Sequence, residues 1–123
     1  MAIVHTHGLT HVSLAVRDPA VSMRFYAQVF GFEEYYSDDT SIQARRTGGW
    51  EILAFEKDRR NAGKTGGIQH FGFRLVDAAD IDNAVQEVLA AGGKLLRRGE
   101  FAPGYPFAYV TDPDGYEIEI WYE

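Results

Sequence analysis

The chain has 123 residues, 46 % of them hydrophobic and 14 % aromatic, enough for one apolar core and outside the range of disordered chains. Its net charge of −6 argues against a nucleic-acid face, and Arg45-Arg46 and Arg97-Arg98 are too short and scattered to build one. The absence of cysteine removes disulfides, thiolate metal sites and thiol nucleophiles from consideration.

The opening MAIVHTHGLT lacks the basic and apolar regions of a signal peptide. No apolar run approaches a membrane span, so the expectation is a cytoplasmic protein that does not engage membranes. His5 and His7 then fall on an N-terminal arm ahead of the first strand. From His11 a short apolar run reads as a strand. Asp18-Pro19 follows as a helix start, with an N-cap and a proline in the first turn. Val21, Phe25, Tyr26 and Val29 form the expected buried stripe, and Gly31 closes the helix. Three strand-like runs come next, at about 33–36, 41–46 and 50–55. The polar, glycine-rich KDRRNAGKTGG (57–67) reads as a connector.

After the connector the pattern repeats. His70 opens a strand and, as with His11 and Asp18, an aspartate follows seven residues on, at Asp77. Asp77 or Asp80 caps a second helix with the stripe Ile81, Val85, Val88 and Leu89, ended by Gly92-Gly93. Further strands are predicted at about 94–98, 107–111 and 117–122, the last two joined by the turn Asp112-Pro113-Asp114-Gly115. The loop 102–106, rich in proline and glycine, reads either as an ordinary connection or as a lid. The chain therefore reads as one α+β domain over 1–123, with module one at about 9–56, a linker at 57–67 and module two at 68–123, each module βαβββ.

The closing strand alternates. Ile118 and Ile120 point one way, and Glu117, Glu119, Trp121 and Glu123 the other. Carboxylates on a face shared with tryptophan need a partner, since burying one alone costs several kcal/mol. Symmetric placement of His11 and His70 by the duplication supplies a candidate: two imidazoles and one carboxylate bind a divalent ion such as zinc, iron, nickel or manganese. Glu119 is the central carboxylate of the strand and the one expected to serve.

The order of His11, FYAQVFGF (25–32), His70 and the closing DPDGYEIE resembles the vicinal oxygen chelate superfamily, from about Leu9 to Tyr122. That group includes glyoxalase I, extradiol dioxygenases, fosfomycin-resistance enzymes and bleomycin-resistance proteins. The resemblance implies paired βαβββ modules forming a half-open mixed-sheet barrel around one divalent metal, with His11, His70 and Glu119 as ligands. It also implies a homodimer sharing its sites between chains, and metal-assisted chemistry on a small oxygen-rich substrate.

The branches of the superfamily differ in what they add. Glyoxalase I-like members take a fourth ligand from the last strand of module one. Glu51 is the candidate ligand or base there, sharing a face with Leu53 and Phe55 that we assign to the barrel interior; an ungapped match of GGWEIL to DGYEIE instead aligns Leu53 with Glu119. Extradiol dioxygenases carry a tyrosine ten residues before the ligand glutamate, where Tyr109 stands, but they also need a histidine shortly before it, and EFAPGYPFAY has none. Fosfomycin-type transferases share that tyrosine and a hydroxyl at the place of Ser13, yet need basic residues that this acidic chain lacks. Bleomycin-resistance-type members sequester ligands without metal and often lack the triad. The sequence leans slightly to the dioxygenase-like triad, with the lyase and the sequestering module as alternatives.

Overall fold

The computed structural model describes residues 3–123. Strand β1 (His11–Val16) leads into helix α1 (Pro19–Phe30), whose start is set by Asp18: its carboxylate accepts the Ala20 N–H at 3.0 Å. Gly31, at φ 75°, ends α1 by donating its N–H to the Ala27 carbonyl at 3.0 Å, while Phe32 N–H reaches the Tyr26 carbonyl at 3.2 Å. Strands β2 (Glu33–Ser37), β3 (Ser41–Arg45) and β4 (Ile52–Lys57) complete the first module. The second repeats the order with β5 (Phe71–Arg74), α2 (Ile81–Ala90), β6 (Lys94–Glu100), β7 (Pro106–Thr111) and β8 (Glu117–Trp121). A 3₁₀ turn at Ala78–Asp80 leads into α2, and Asp77 caps it by accepting the Ala79 N–H at 2.9 Å; the Asp80 side chain makes no capping bond.

Each module forms one four-stranded mixed sheet, in the orders β1-β4-β3-β2 and β5-β8-β7-β6. Among the described residues only the β1/β4 and β5/β8 pairs are parallel, and in each the intervening helix and hairpin supply the long connection that a parallel pair needs. The two sheets remain open and do not close into a barrel within the chain. Their helix-facing sides share one core, in which Leu14, Phe25, Phe32, Phe55, Val88, Val110, Ile118 and Ile120 pack together. Full burial of each such side chain contributes about 1.5–3 kcal/mol. The other face of each sheet is left half open, giving the alternation of buried and half-buried residues along β7 and β8.

The buried stripe of α1 is rotated from the expected one. Ser22 is fully buried, whereas Val21 is 37 % exposed. The turn at 112–115 draws Ser22 inward, for its Oγ lies 3.4 Å from Asp114 Oδ2, and Arg17 holds the same aspartate through its backbone N–H and an ion pair at 2.9 Å. In α2, likewise, Leu89 is 45 % exposed while Val85 and Val88 enter the core. Strand β4 starts at Ile52 rather than Trp50 and runs on to Lys57, because its length is set by pairing along all of β1.

Gly93 is a packing constraint. A β-carbon there would fall 2.6 Å from Val88 Cγ1 and collide with the Thr111 carbonyl. Gly93→Ala is therefore expected to destabilise the fold by about 1–3 kcal/mol, measurable as a shift of the urea midpoint at unchanged slope. An unchanged midpoint would show that the β6/α2 junction yields freely.

Candidate metal centre

The parallel register of β5 on β8 aligns Phe71 with Ile118 and Gly72 with Glu119, so His70, one residue earlier, stands beside Glu117. Its imidazole lies between two carboxylates: Nε2 is 3.4 Å from Glu119 Oε1, and Nδ1 is 3.7 Å from Glu117 Oε2. Glu119 is the more enclosed of the two, with its side chain 14 % exposed against 25 % for Glu117. Across the β7/β8 pair Glu119 faces Tyr109, whose ring meets the His70 ring edge-on at 5.1 Å. Desolvation first, and then the neighbouring Glu119 carboxylate, raise the Tyr109 phenol above its ordinary range, so it carries its proton at neutral pH. His70, Glu119 and Tyr109 thus form one cluster on the open face of the second sheet.

His11 does not join that cluster in a three-donor group, although it borders the same cleft. It opens β1 opposite Ile52, is exposed, and shares with His70 the lining of a cleft of about 530 Å³ between the two modules. Among the described residues no three His, Asp or Glu side chains come together as a metal-binding group. One chain brings His70 and Glu119 within 3.4 Å and sets His11 on the same cleft as His70. Of the other histidines, His7 stacks on Trp50 at 3.8 Å. The loop 102–106 is a tight connection, with Tyr105 N–H donating to the Ala102 carbonyl at 2.9 Å.

Residues 8–120 match the Glyoxalase/Bleomycin resistance protein/Dioxygenase superfamily. The chain belongs to that superfamily. A relative in Vibrio cholerae, described as a probable lactoylglutathione lyase, is 30 % identical, spanning 93 % of this chain and 89 % of the relative. Two solved structures share the fold. A glyoxalase-related enzyme from Fulvimarina pelagi has TM-score 0.78 and 23 % identity, with 96 % of this chain and 89 % of that one covered. The fosfomycin resistance protein FosX of Mesorhizobium loti has TM-score 0.76 and 22 % identity, with 97 % and 94 % covered.

The donors present suit the divalent ion that superfamily membership suggests. Two ligand atoms each about 2.1 Å from one ion lie roughly 3.0–3.4 Å apart, and His70 Nε2 and Glu119 Oε1 have that separation. Glu117, across from Nδ1, can accept the other ring proton and leave Nε2 free as a donor atom. This role for Glu117 was not anticipated. Its place on the acidic face is visible in the alternation of β8, but its proximity to His70 depends on the β5/β8 register.

Glu51 does not share the open face. It has the parity of Leu53 and Phe55, as expected, but that is the core side of the sheet: Leu53 is 4 % exposed and Phe55 is fully buried. The open face next to His11 carries Ile52, Ala54 and Glu56. Superposing the pairs His11/Ile52 and His70/Glu117 makes Ala54, not Glu51 or Leu53, the equivalent of Glu119. Glu51 is ion-paired with Arg46 near the start of β4, and this pairing helps to lower its pKa against the opposing effect of desolvation. Glu51→Gln is expected to leave metal affinity unchanged and to alter stability by no more than about 1 kcal/mol. A tenfold loss of metal affinity, measured by competition with a chelating dye, would overturn this reading.

Proposed function

We propose that the protein is a divalent-metal-dependent enzyme acting on a small molecule with adjacent oxygens, closer to dioxygenase-type than to lyase-type chemistry. The His70–Glu119–Tyr109 cluster carries this reading. His70 and Glu119 would hold one ion of iron, zinc, nickel or manganese, with His11 supplied by a second protomer of a homodimer. The absence of a three-donor group among the described residues of one chain supports that sharing, as do Leu9 and Ile68, apolar residues lining the cleft at 94 % and 69 % exposure.

A bound divalent ion supplies Lewis acidity toward adjacent substrate oxygens, and three protein ligands leave coordination positions open. The chain's own groups do the rest. Tyr109, held protonated, donates to or orients a substrate oxygen beside Glu119. Glu117, 3.7 Å from His70 Nδ1, is placed to orient the imidazole once the two draw together, and Phe107, edge-on to Tyr109 at 5.7 Å, extends an apolar wall for the substrate body. The lean away from a lyase rests on Ala54, since the strand that would offer a fourth carboxylate has a methyl group there. A glyoxalase I-like lyase remains the second reading, favoured by the description of the Vibrio relative.

The deciding experiment is metal analysis of untagged protein purified without chelator, and again after reconstitution with Fe(II), Mn(II), Ni(II) or Zn(II). Close to one ion per chain is expected. No retained metal under any of these conditions would reject the enzyme reading in favour of a metal-free, ligand-sequestering protein. With iron retained, oxygen uptake in the presence of aromatic diols supports the dioxygenase-like assignment, and turnover of hemithioacetals instead would replace it with the lyase.

A further inference from the structure

Beside the candidate metal centre stands a cation that the proposed chemistry does not use. Arg97, on β6, lies with its guanidinium carbon 4.0 Å from the centre of the Tyr109 ring. A guanidinium held over a ring by a cation–π contact spends none of its five N–H donors on hydrogen bonds to that ring. Among the described residues only one of these approaches a partner: Nη1 is 3.5 Å from Glu117 Oε1, at the limit of a hydrogen bond. The side chain is 57 % exposed, so the remaining donors are accessible from the open face. The Glu117 carboxylate spans the whole gap, one oxygen toward Arg97 and the other 3.7 Å from His70 Nδ1. The distance from Arg97 to the His70–Glu119 pair is therefore within the reach of one small molecule. Next to Tyr109, Phe107 and Phe101 continue an aromatic row, stacked at 4.8 Å, against which a planar body can lie.

Charge points the same way. Glu117 and Glu119 against Arg97 leave the cluster at −1, counting formal charges, and a divalent ion brings it to +1. A neutral substrate would leave that excess uncompensated in a half-buried site, whereas a monoanion cancels it. We propose that Arg97 is a specificity residue and that the substrate is a carboxylate-bearing molecule, its carboxylate paired with Arg97 and its adjacent oxygens directed to His70 and Glu119. The inference rests on the metal-site reading above, but the recognition of a carboxylate by Arg97 can be tested without it.

Benzoate and its neutral isostere benzamide, titrated into chelator-treated protein and followed by NMR shifts of residues on β6–β8, isolate that recognition. Benzoate is expected to bind about tenfold more tightly than benzamide, the discrimination of one charged hydrogen-bonded pair. Arg97→Gln should abolish the preference and Arg97→Lys should keep part of it. Arg74→Gln, which alters an arginine stacked on Trp121 on the same sheet, should leave the preference intact. Equal binding of the two probes to the wild type, or an unchanged preference in Arg97→Gln, overturns the proposal. In metal-loaded protein, 3,4-dihydroxybenzoate should then outcompete catechol by a similar factor that Arg97→Gln removes. Failure to load metal defeats the reading under Proposed function but leaves the benzoate comparison to decide on Arg97.

Discussion

Replacing His70 with alanine is expected to lower metal affinity by at least about a hundredfold, while His7→Ala leaves it unchanged. His70 is the residue to which both site carboxylates turn, at 3.4 and 3.7 Å, so its loss removes one donor and the orientation of another. Changes to the groups that merely orient a ligand already cost 10–100-fold, and loss of the ligand itself costs more. Glu119→Gln is expected to be nearly as damaging, since an amide oxygen keeps the shape but not the charge that a divalent ion needs. His11→Ala tests whether the site is shared. If His11 comes from a second protomer, His11→Ala and His70→Ala proteins, each defective alone, should recover about one competent site per mixed dimer after unfolding and refolding together. Competition against a chelating dye measures every one of these affinities. Equal losses in the His7, His11 and His70 variants would mean that the retained metal is adventitious, and absence of recovery in the mixture would place all three ligands on one chain.

Asp112→Ala is expected to destabilise the fold by about 3–5 kcal/mol, a large part of the stability of a domain this size. The Asp112 side chain is buried at 3 % exposure and is the acceptor for three donors: the Tyr26 hydroxyl at 2.8 Å, Asp114 N–H at 2.9 Å and Tyr116 N–H at 3.0 Å. Alanine leaves all three without a partner in a region that water reaches poorly. This contact also joins the two distant stretches of sequence that carry the superfamily resemblance. Tyr26 belongs to FYAQVFGF and Asp112 opens DPDG, and their hydrogen bond fastens the turn before β8 to α1. Because that turn feeds directly into Glu117 and Glu119, the bond helps to fix the height of the site carboxylates. Asp112→Ala is thus expected to weaken metal binding as well as stability, and Asp112→Asn, which keeps an acceptor oxygen, to spare both.

The same burial makes Asp112 a source of pH dependence. Desolvation, only partly offset by its hydrogen bonds, pushes its pKa from 3.8 up to about 6. Since the folded value is the higher one, the favourable contribution is fully present below pH 4 and is lost as pH rises through 6. A displacement of about two pH units corresponds to roughly 3 kcal/mol. The stability of Asp112→Asn relative to the wild type should therefore improve by up to that amount between pH 3.5 and pH 7.5, in chemical denaturation at each pH. Parallel stability curves for the two proteins would show that Asp112 is ionised with an ordinary pKa.

Much of the fold was legible because it is written in local patterns. The period-two alternation of β8, the Asp18-Pro19 helix start and the left-handed Gly31 each depend on residues a few positions apart, and the structure reproduces them. The matched His-to-Asp spacing exposed the duplication, and with it the pairing of two βαβββ units. Glu119 was recognisable from its face and Tyr109 from the superfamily resemblance, and their strands bring them side by side. What sequence reasoning missed has a common cause. Parity told that Glu51 shares a face with Leu53 and Phe55, but not which face of the sheet the helices cover, and helix packing turned that face into the core. Register likewise cannot be read from one strand: a slip of one residue separates Leu53 from Ala54 as the counterpart of Glu119, and only hydrogen bonding of β4 along β1 selects between them. The approach of Arg97 to Tyr109 depends on an irregularity in β6, between Leu95 and Arg97, that shifts its pairing with β7. The sequence by itself determined the elements, their duplication and the chemistry available, since propensity, capping and alternation act within a few residues. The tertiary structure alone decided which side chains meet, because the facing of sheets and the register of strands are set by contacts between residues far apart in the chain.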